Sequence, residues 1–520
     1  MKTDACNPHN SSGLCIASYT RHHLRRVLRK ALRVPLMSSE SIMWPIAFKL
    51  KAIKSVTAAI CILFFASSYA FADQSGNNKW LKPHKPSSEE QIHNEYPFYP
   101  SRAQTAGKDL KPEMFEDPTV CKACHEEIYQ QWENSVMAKS WDDPIYKALF
   151  KRASEATDGE IDNFCIACHS PIGMTSMNAS AKMLDTDEHL PGVNCEVCHN
   201  ISGITGHDNG AYVLTPNREE HVKLGPRTDA QSPYHKTAYL DVQTRSEFCS
   251  TCHNVTHPTN GTAIERTYDE WQESIYNEQG IQCQDCHMTP GPGINSNPGK
   301  SAIMGKERKH IYSHEFTGGN STLHNYFKSP ERAEAARAML RSAATMELVD
   351  IPDTIRAGDA VTLKVKVNNV GAGHKLPTGF PEGREVWVDF QVSSDNYPSL
   401  YRSGAIVDGH TEPNTRNFKV WLGNAKGEVV DLNVWEVDKV LADTRIPPKG
   451  YSIVDYTFVV PADSGDTLKL DITLNYWPFS QQLVDELLGE GVLEVDVVEM
   501  TTLKASLDVS PAAPAVAQRH

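Results

Sequence analysis

Five times the chain repeats one spacing of two thiols and an imidazole. The copies are Cys121-Lys-Ala-Cys124-His125, Cys165-Ile-Ala-Cys168-His169, Cys195-Glu-Val-Cys198-His199, Cys249-Ser-Thr-Cys252-His253 and Cys283-Gln-Asp-Cys286-His287. On a helical turn, positions i, i+3 and i+4 share one face, so the three side chains meet the same neighbour. Two thiols so placed form thioethers to the vinyl groups on one edge of a haem, and the next histidine reaches the iron. Zinc is the other use of Cys-x-x-Cys, but it demands no histidine at the same offset in every copy. The spacing predicts five covalently attached haem c groups, with His125, His169, His199, His253 and His287 as proximal ligands.

The cysteine count supports this once the leader is set aside. Lys49, Lys51 and Lys54 precede the apolar stretch "SVTAAICILFFA" at 55–66, and Ala70-Phe71-Ala72 follows as a small-x-small cleavage signal. The stretch is short for a membrane span, which needs about 20 apolar residues. Residues 1–72 are therefore expected to be a leader and cleaved secretory signal, which sends the mature chain to the periplasm or beyond the cell. Of 13 cysteines, Cys6, Cys15 and Cys61 leave with it, and the other ten are the five motif pairs. An exported chain would ordinarily pair its cysteines as disulfides, yet disulfides require no histidine beside each pair. The leader holds 10 Lys+Arg and 2 Asp+Glu, so the totals of 51 and 65 become 41 and 63, a net charge of −22. That excludes nucleic acid and anionic membrane surfaces as partners and suits a soluble protein that meets redox proteins as donor and acceptor.

The motifs run from Cys121 to His287, 167 residues for five macrocycles. No separate globular core fits around each, so the haems must pack against one another. Whether they relay electrons or do chemistry depends on the sixth ligands, since an open position binds small molecules. Thirteen histidines remain in the mature chain beyond the five proximal ones. A distal ligand rarely comes from its own motif's turn, because proximal and distal groups face opposite sides of the ring. The candidates are His235 in "SPYHKTAY", His257 four after His253, His314 and His310 in "KHIYSHEF", His374 in "GAGHKLPTG" and His207 in "TGHDNGAY". Met137, in "QQWENSVMAKSW", is a further candidate, and a His/Met haem would have a raised potential.

The elements that position these residues change character along the chain. Residues 73–110 are polar with scattered prolines and read as an extended arm. Residues 111–328 form the haem domain, with "EEIYQQWENSVM" and "TYDEWQESIYNEQ" as short helices between loops. Residues 329–348 read as one connecting helix, with Ser329 as N-cap and Pro330 in the first turn. After it the period switches to two. "AVTLKVKVNNV", "EVWVDFQVSS", "SIVDYTFVVP" and "TLKLDITLNYW" alternate apolar and polar residues between turn signals. The expected fold class is α+β: a mainly helical, loop-rich multihaem domain with a haem core, then an immunoglobulin-like antiparallel β-sandwich at 349–509. Residues 510–520 read as a loose tail. No phosphate-binding glycine loop, nucleophile elbow or His-Glu-x-x-His is present.

The segments "CKACHEEIYQQWENS", "GVNCEVCH", "SEFCSTCHNVTHPTNG", "ERTYDEWQES" and "GIQCQDCHM" resemble multihaem cytochromes of the cytochrome c-554 type. That group is related to hydroxylamine oxidoreductase and pentahaem nitrite reductase, and the likeness spans roughly residues 115–330. Many relatives follow "W-x-x-S" with a ligating histidine, where this chain has Met137. The relatives' "H-x-F-x-G-G-N" stands here at 314–320, and "GAGHKLPTGFPEGREVW" looks like a segment of β-domains fused to such cytochromes, which implies that His374 faces a haem. Pentahaem nitrite reductases mark their catalytic haem with lysine in place of the motif histidine, whereas all five motifs here end in histidine. The reading is an exported electron carrier rather than an enzyme. The alternatives are a nitrogen- or sulfur-oxyanion oxidoreductase with one open haem, and, by resemblance alone, a subunit of an extracellular cytochrome filament.

Overall fold

The computed structural model describes residues 101–380, 383–430 and 432–512. All belong to one compact unit. The expected leader, the arm as far as residue 100 and the tail from residue 513 lie outside the described residues. The fold class is α+β, with short helices dominating to residue 343 and strands thereafter.

Local signals start the helices and keep them short. Asp117 caps Pro118–Lys122 by accepting from the Thr119 amide, and Asn194 caps Cys195–Cys198 through the amides of Glu196 and Val197. The longest helix before residue 330, Pro144–Ala156, has Asp143 as its cap and Pro144 at its first position. Its buried face is Ile145, Tyr146, Phe150 and Ala153. The segment "TYDEWQESIYNEQ" forms two helices, Thr267–Gln272 and Ile275–Glu278, because Ser274 caps the second and breaks the first.

Short strands stand among the helices and loops of this portion. Three two-stranded ribbons join Ile201–Ile204 to Tyr212–Leu214, Val222–Gly225 to Lys236–Tyr239, and Val255–Thr256 to Ala263–Glu265. Each strand has two to four residues, too short for period-two alternation to register in the sequence. Residues 101–110 lie against this portion: the Gln104 amide donates to the Tyr212 carbonyl at 2.9 Å, and Leu110 is buried beside Tyr212.

The connecting helix is shorter than its composition suggests, running Pro330–Ala343. Ser329 holds the N-cap position, but its hydroxyl does not cap. Residues 344–349 become a strand because Ala360–Asn369 offers them a full ladder of backbone partners. Tertiary pairing overrides the local helix signal there.

The four strands expected from alternation form at Ala360–Asn369, Glu385–Ser394, Tyr451–Val459 and Thr467–Trp477. Ala360–Asn369 is the centre of a three-stranded sheet between Tyr451–Val459 and Ala344–Val349. The second sheet orders Tyr401–Ser403, Glu385–Ser394, Thr467–Trp477, Val498–Ser510 and Ile355–Arg356, with Asn417–Phe418 beside Glu385–Ser394. Glu385–Ser394 and Thr467–Trp477 pair along ten residues, with Phe390 opposite Ile472. Inward residues of both sheets merge in one core of 28 buried side chains, where Phe390 stacks on Tyr456 at 4.1 Å. That is the cross-sheet packing alternation demands.

Candidate haem-binding site

Each motif closes one helical turn. The amide of His125 donates to the Cys121 carbonyl at 2.9 Å, and the same bond joins His199 to Cys195, His253 to Cys249 and His287 to Cys283 at 2.9–3.0 Å. The second motif lies inside the helix Asp162–His169. Thiols and imidazole therefore share a face at each site, as the i, i+3, i+4 argument requires.

All fifteen motif residues line one continuous cavity of about 1450 Å³. A pocket for one small molecule holds roughly 300–1,000 Å³, so this space suits several large groups. Neighbouring sites adjoin within it. Cys121 and Cys195 lie within hydrogen-bonding reach, as do Cys168 and Cys252, and Cys249 and Cys283. Cys198 also feels the charge of Cys252. The first site thus borders the third, the third borders the fourth, and the fourth borders both the second and the fifth.

The imidazoles carry a consistent second bond. The Nδ1 of His125 meets the Ser301 carbonyl at 2.6 Å, His169 meets Ser140 at 3.0 Å, His199 meets Leu224 at 2.6 Å and His287 meets Thr317 at 2.7 Å. A ring that donates Nδ1–H to a carbonyl presents an unprotonated Nε2, and metal-binding histidines are oriented this way. Burial holds His169 down to about 4 and also lowers His199 and His287, which keeps them neutral.

Three of the sequence-predicted distal residues join this set. His235 stands 6.5 Å from His125 between ring centres with planes 24° apart, and His374 stands 6.3 Å from His287 at 14°. Two imidazoles sharing one metal, each nitrogen roughly 2 Å from it, have ring centres roughly 6 Å apart. His235 and His374 also turn Nδ1 to a carbonyl, of Lys236 at 3.0 Å and Lys375 at 2.9 Å. His314 lines the cavity with Nδ1 at 3.1 Å from the Tyr312 carbonyl, and burial, then nearby His199, hold it down to about 4. Met137 lines the cavity too.

The other three stand elsewhere. His257 has Nε2 at 3.1 Å from the Trp435 carbonyl and Nδ1 at 3.1 Å from Thr259, outside the cavity lining. His207 stacks on Tyr268 and bonds Ser250 at 3.0 Å. His310 packs edge-on to Tyr312, outside the lining. No lining histidine beyond the motifs is left for His169 and His253. Tyr146 stacks on the His169 ring at 3.7 Å, and its buried hydroxyl has no partner within the protein. Sequence reasoning missed Tyr146, which reads as an ordinary core residue of an amphipathic helix, and missed the carbonyls of Ser140, Leu224, Ser301 and Thr317, which carry no side-chain signal.

These residues fit covalent haem and do not fit zinc. Among the described residues no three His, Cys, Asp or Glu side chains converge on one point. The cavity has room for macrocycles, its histidines present Nε2 inward, and the Tyr146 hydroxyl waits there for an acceptor.

Fold and site together suit several covalently held haems, and two comparisons point the same way. Residues 120–200 match the family model of cytochrome c554 and c-prime. The penta-heme cytochrome c552 from Thermochromatium tepidum shares the fold with a TM-score of 0.53 at 19% identity, over 77% of this chain and 99% of its own. The chain thus carries that cytochrome family's pattern over residues 120–200 and the fold of a penta-heme cytochrome. A CARDB domain from Pyrococcus furiosus covers 32% of this chain and 87% of its own at 14% identity and a TM-score of 0.15. The sporulation control protein Spo0M from Bacillus subtilis covers 33% of this chain and 50% of its own at 12% identity and 0.14. At those scores neither carries an argument. No curated protein matches the chain.

Proposed function

We propose that the chain is an exported pentahaem cytochrome that relays electrons, with an immunoglobulin-like sandwich built from its two C-terminal sheets. The observation that carries this reading is the single cavity shared by all fifteen motif residues, with thiols of neighbouring sites within hydrogen-bonding reach. Haem at each motif supplies a one-electron iron couple whose potential follows axial ligand and burial. The cysteines of each turn hold the group by thioethers, and the following histidine presents Nε2 to it. The carbonyls of Ser301, Ser140, Leu224 and Thr317 keep four of those rings in one tautomer. His235, His314 and His374 serve as sixth ligands opposite His125, His199 and His287. Cys124 and Cys286 are exposed, so the first and fifth sites are the ends nearest solvent and the places for donor and acceptor to meet the chain.

Export is supported by the leader's sequence and by the extracytoplasmic setting typical of c-type cytochromes. No helix among the described residues is long and apolar enough to cross a membrane. A second reading, an oxidoreductase for nitrogen or sulfur oxyanions, is favoured by one observation: no lining histidine faces His169 or His253. Pyridine haemochrome on the oxidised mature protein, with low-temperature EPR on the same sample, tests both. The expected result is five haems per chain, with the three irons opposite His235, His314 and His374 low-spin. High-spin signal from three or more irons overturns that ligation, and high-spin signal confined to one or two irons moves assay to those oxyanions.

A further inference from the structure

His374 belongs to the strand-rich portion, while its partner His287 belongs to the motif portion. Something must hold the loop 370–379 across that seam. On its own side, Asn369 is 1% exposed and donates to the carbonyls of His374 at 3.0 Å and Ile446 at 3.2 Å, while its Oδ1 accepts from the Ala372 amide. Leu376 and Ile446 exchange both backbone bonds. Gly371 must lack a side chain, because a Cβ there would overlap the Ser342 carbonyl.

The hold from the opposite side centres on one carboxylate, beside hydrogen bonds from the Tyr276 hydroxyl to the Val370 carbonyl at 3.2 Å and between the Thr267 and Thr378 hydroxyls at 2.8 Å. Glu270, on the helix Thr267–Gln272 between the fourth and fifth motifs, is 8% exposed. Its Oε2 accepts from the Lys375 amide at 3.1 Å and the Thr378 hydroxyl at 3.2 Å, so it grips the loop on both sides of Leu376. Its Oε1 faces Arg445 at 2.8 Å, an ion pair off the ideal hydrogen-bond direction. Arg445 also binds Asp443 at 2.9 Å, and Lys375 reaches Asp443 at 2.7 Å. The four charges sum to zero in a region where an unpaired charge would be costly. Packing alone needs no carboxylate there, since Trp271 and Tyr276 already lie against Gly373.

We infer that Glu270 is a positioning residue for the fifth site: by gripping the Lys375 amide and Thr378 it holds His374 opposite His287, so an ion pair between the two portions governs the sixth position there. The inference rests on the ligation proposed above. Losing charge-assisted hydrogen bonds of this kind shifts an opening equilibrium by about tenfold or more.

The test is carbon monoxide binding to the reduced holoprotein, which is limited at a six-coordinate site by departure of the sixth ligand. His374→Ala should bind about one equivalent more than the native protein at once, with one further iron in five high-spin after oxidation. Glu270→Gln should bind the same equivalent about tenfold or more faster than the native protein, and added imidazole should suppress that binding. Thr378→Val, which removes the hydroxyl's bonds to Glu270 and Thr267 and keeps every charge, is the milder variant should Glu270→Gln fail to accumulate, and it should accelerate binding in the same direction. A fast His374→Ala with Glu270→Gln and Thr378→Val at the native rate overturns the positioning role alone. His374→Ala indistinguishable from the native protein overturns the ligation, and the inference with it.

Discussion

Residues 111–343 and 344–510 solve the problem of a core in opposite ways. The second stretch supplies 26 of the 28 side chains buried in one cluster between two sheets, and Leu340 and Ala343 of the connecting helix complete it. Apart from those two, the first stretch gathers its buried apolar residues in small clusters of six or fewer. Hydrophobic burial stabilises a fold in proportion to the area removed from water. The strand-rich stretch gains that area from its own side chains, whereas the motif stretch leaves a space that only large apolar groups can fill. The contrast sets a stretch with its own apolar core beside one whose side chains leave a large cavity.

The most severe way to break the comparison is to prevent attachment. With all ten motif cysteines changed to alanine, limited proteolysis of the full chain should degrade residues 111–343 and leave a protected fragment near 344–510. Equal protection of both stretches would mean that the side chains of the first suffice. The next effect belongs to the other core. Phe390→Ala should cost about 3–5 kcal/mol of unfolding free energy, read by denaturant titration of the sheet signal, with the haem count per chain unchanged.

The smallest effect lies on the seam. Burial works to raise the Asp443 carboxyl, but Arg445 and Lys375 outweigh it and hold the group at about 2. Its folded value is therefore below its unfolded one, near 3.9. The stabilisation is present above about pH 4 and is lost as pH falls through about 2, at most about 2 kcal/mol. Unfolding of the native protein and Asp443→Asn compared between pH 5 and 2 should show the gap closing as the acid limit is approached. A gap independent of pH would remove the ion pair from the account.

Much of this was legible beforehand, for identifiable reasons. The attachment residues are read from covalent spacing: Cys195, Cys198 and His199 must sit on one turn, and they do. The long strands show because Val361, Leu363, Val365 and Val367 alternate with polar neighbours over a full ladder. The short ribbons at 201–265 escaped notice because two to four residues carry no period. The end of the helix at Ala343 rather than residue 348 was set by a strand partner outside the local window.

The distal residues mark the boundary. Nothing local separates His235, His314 and His374 from His207, His257 and His310, since all six are polar residues in loops or short segments. The amino-acid sequence by itself placed two thiols and a histidine on one helical turn at five points, because that needs only neighbours three and four apart. Which imidazole stands opposite each one is a matter of separations near 6 Å between residues up to 110 apart in the chain, as for His125 and His235. Only the tertiary structure decides that, because distance in space there depends on packing and not on order along the chain.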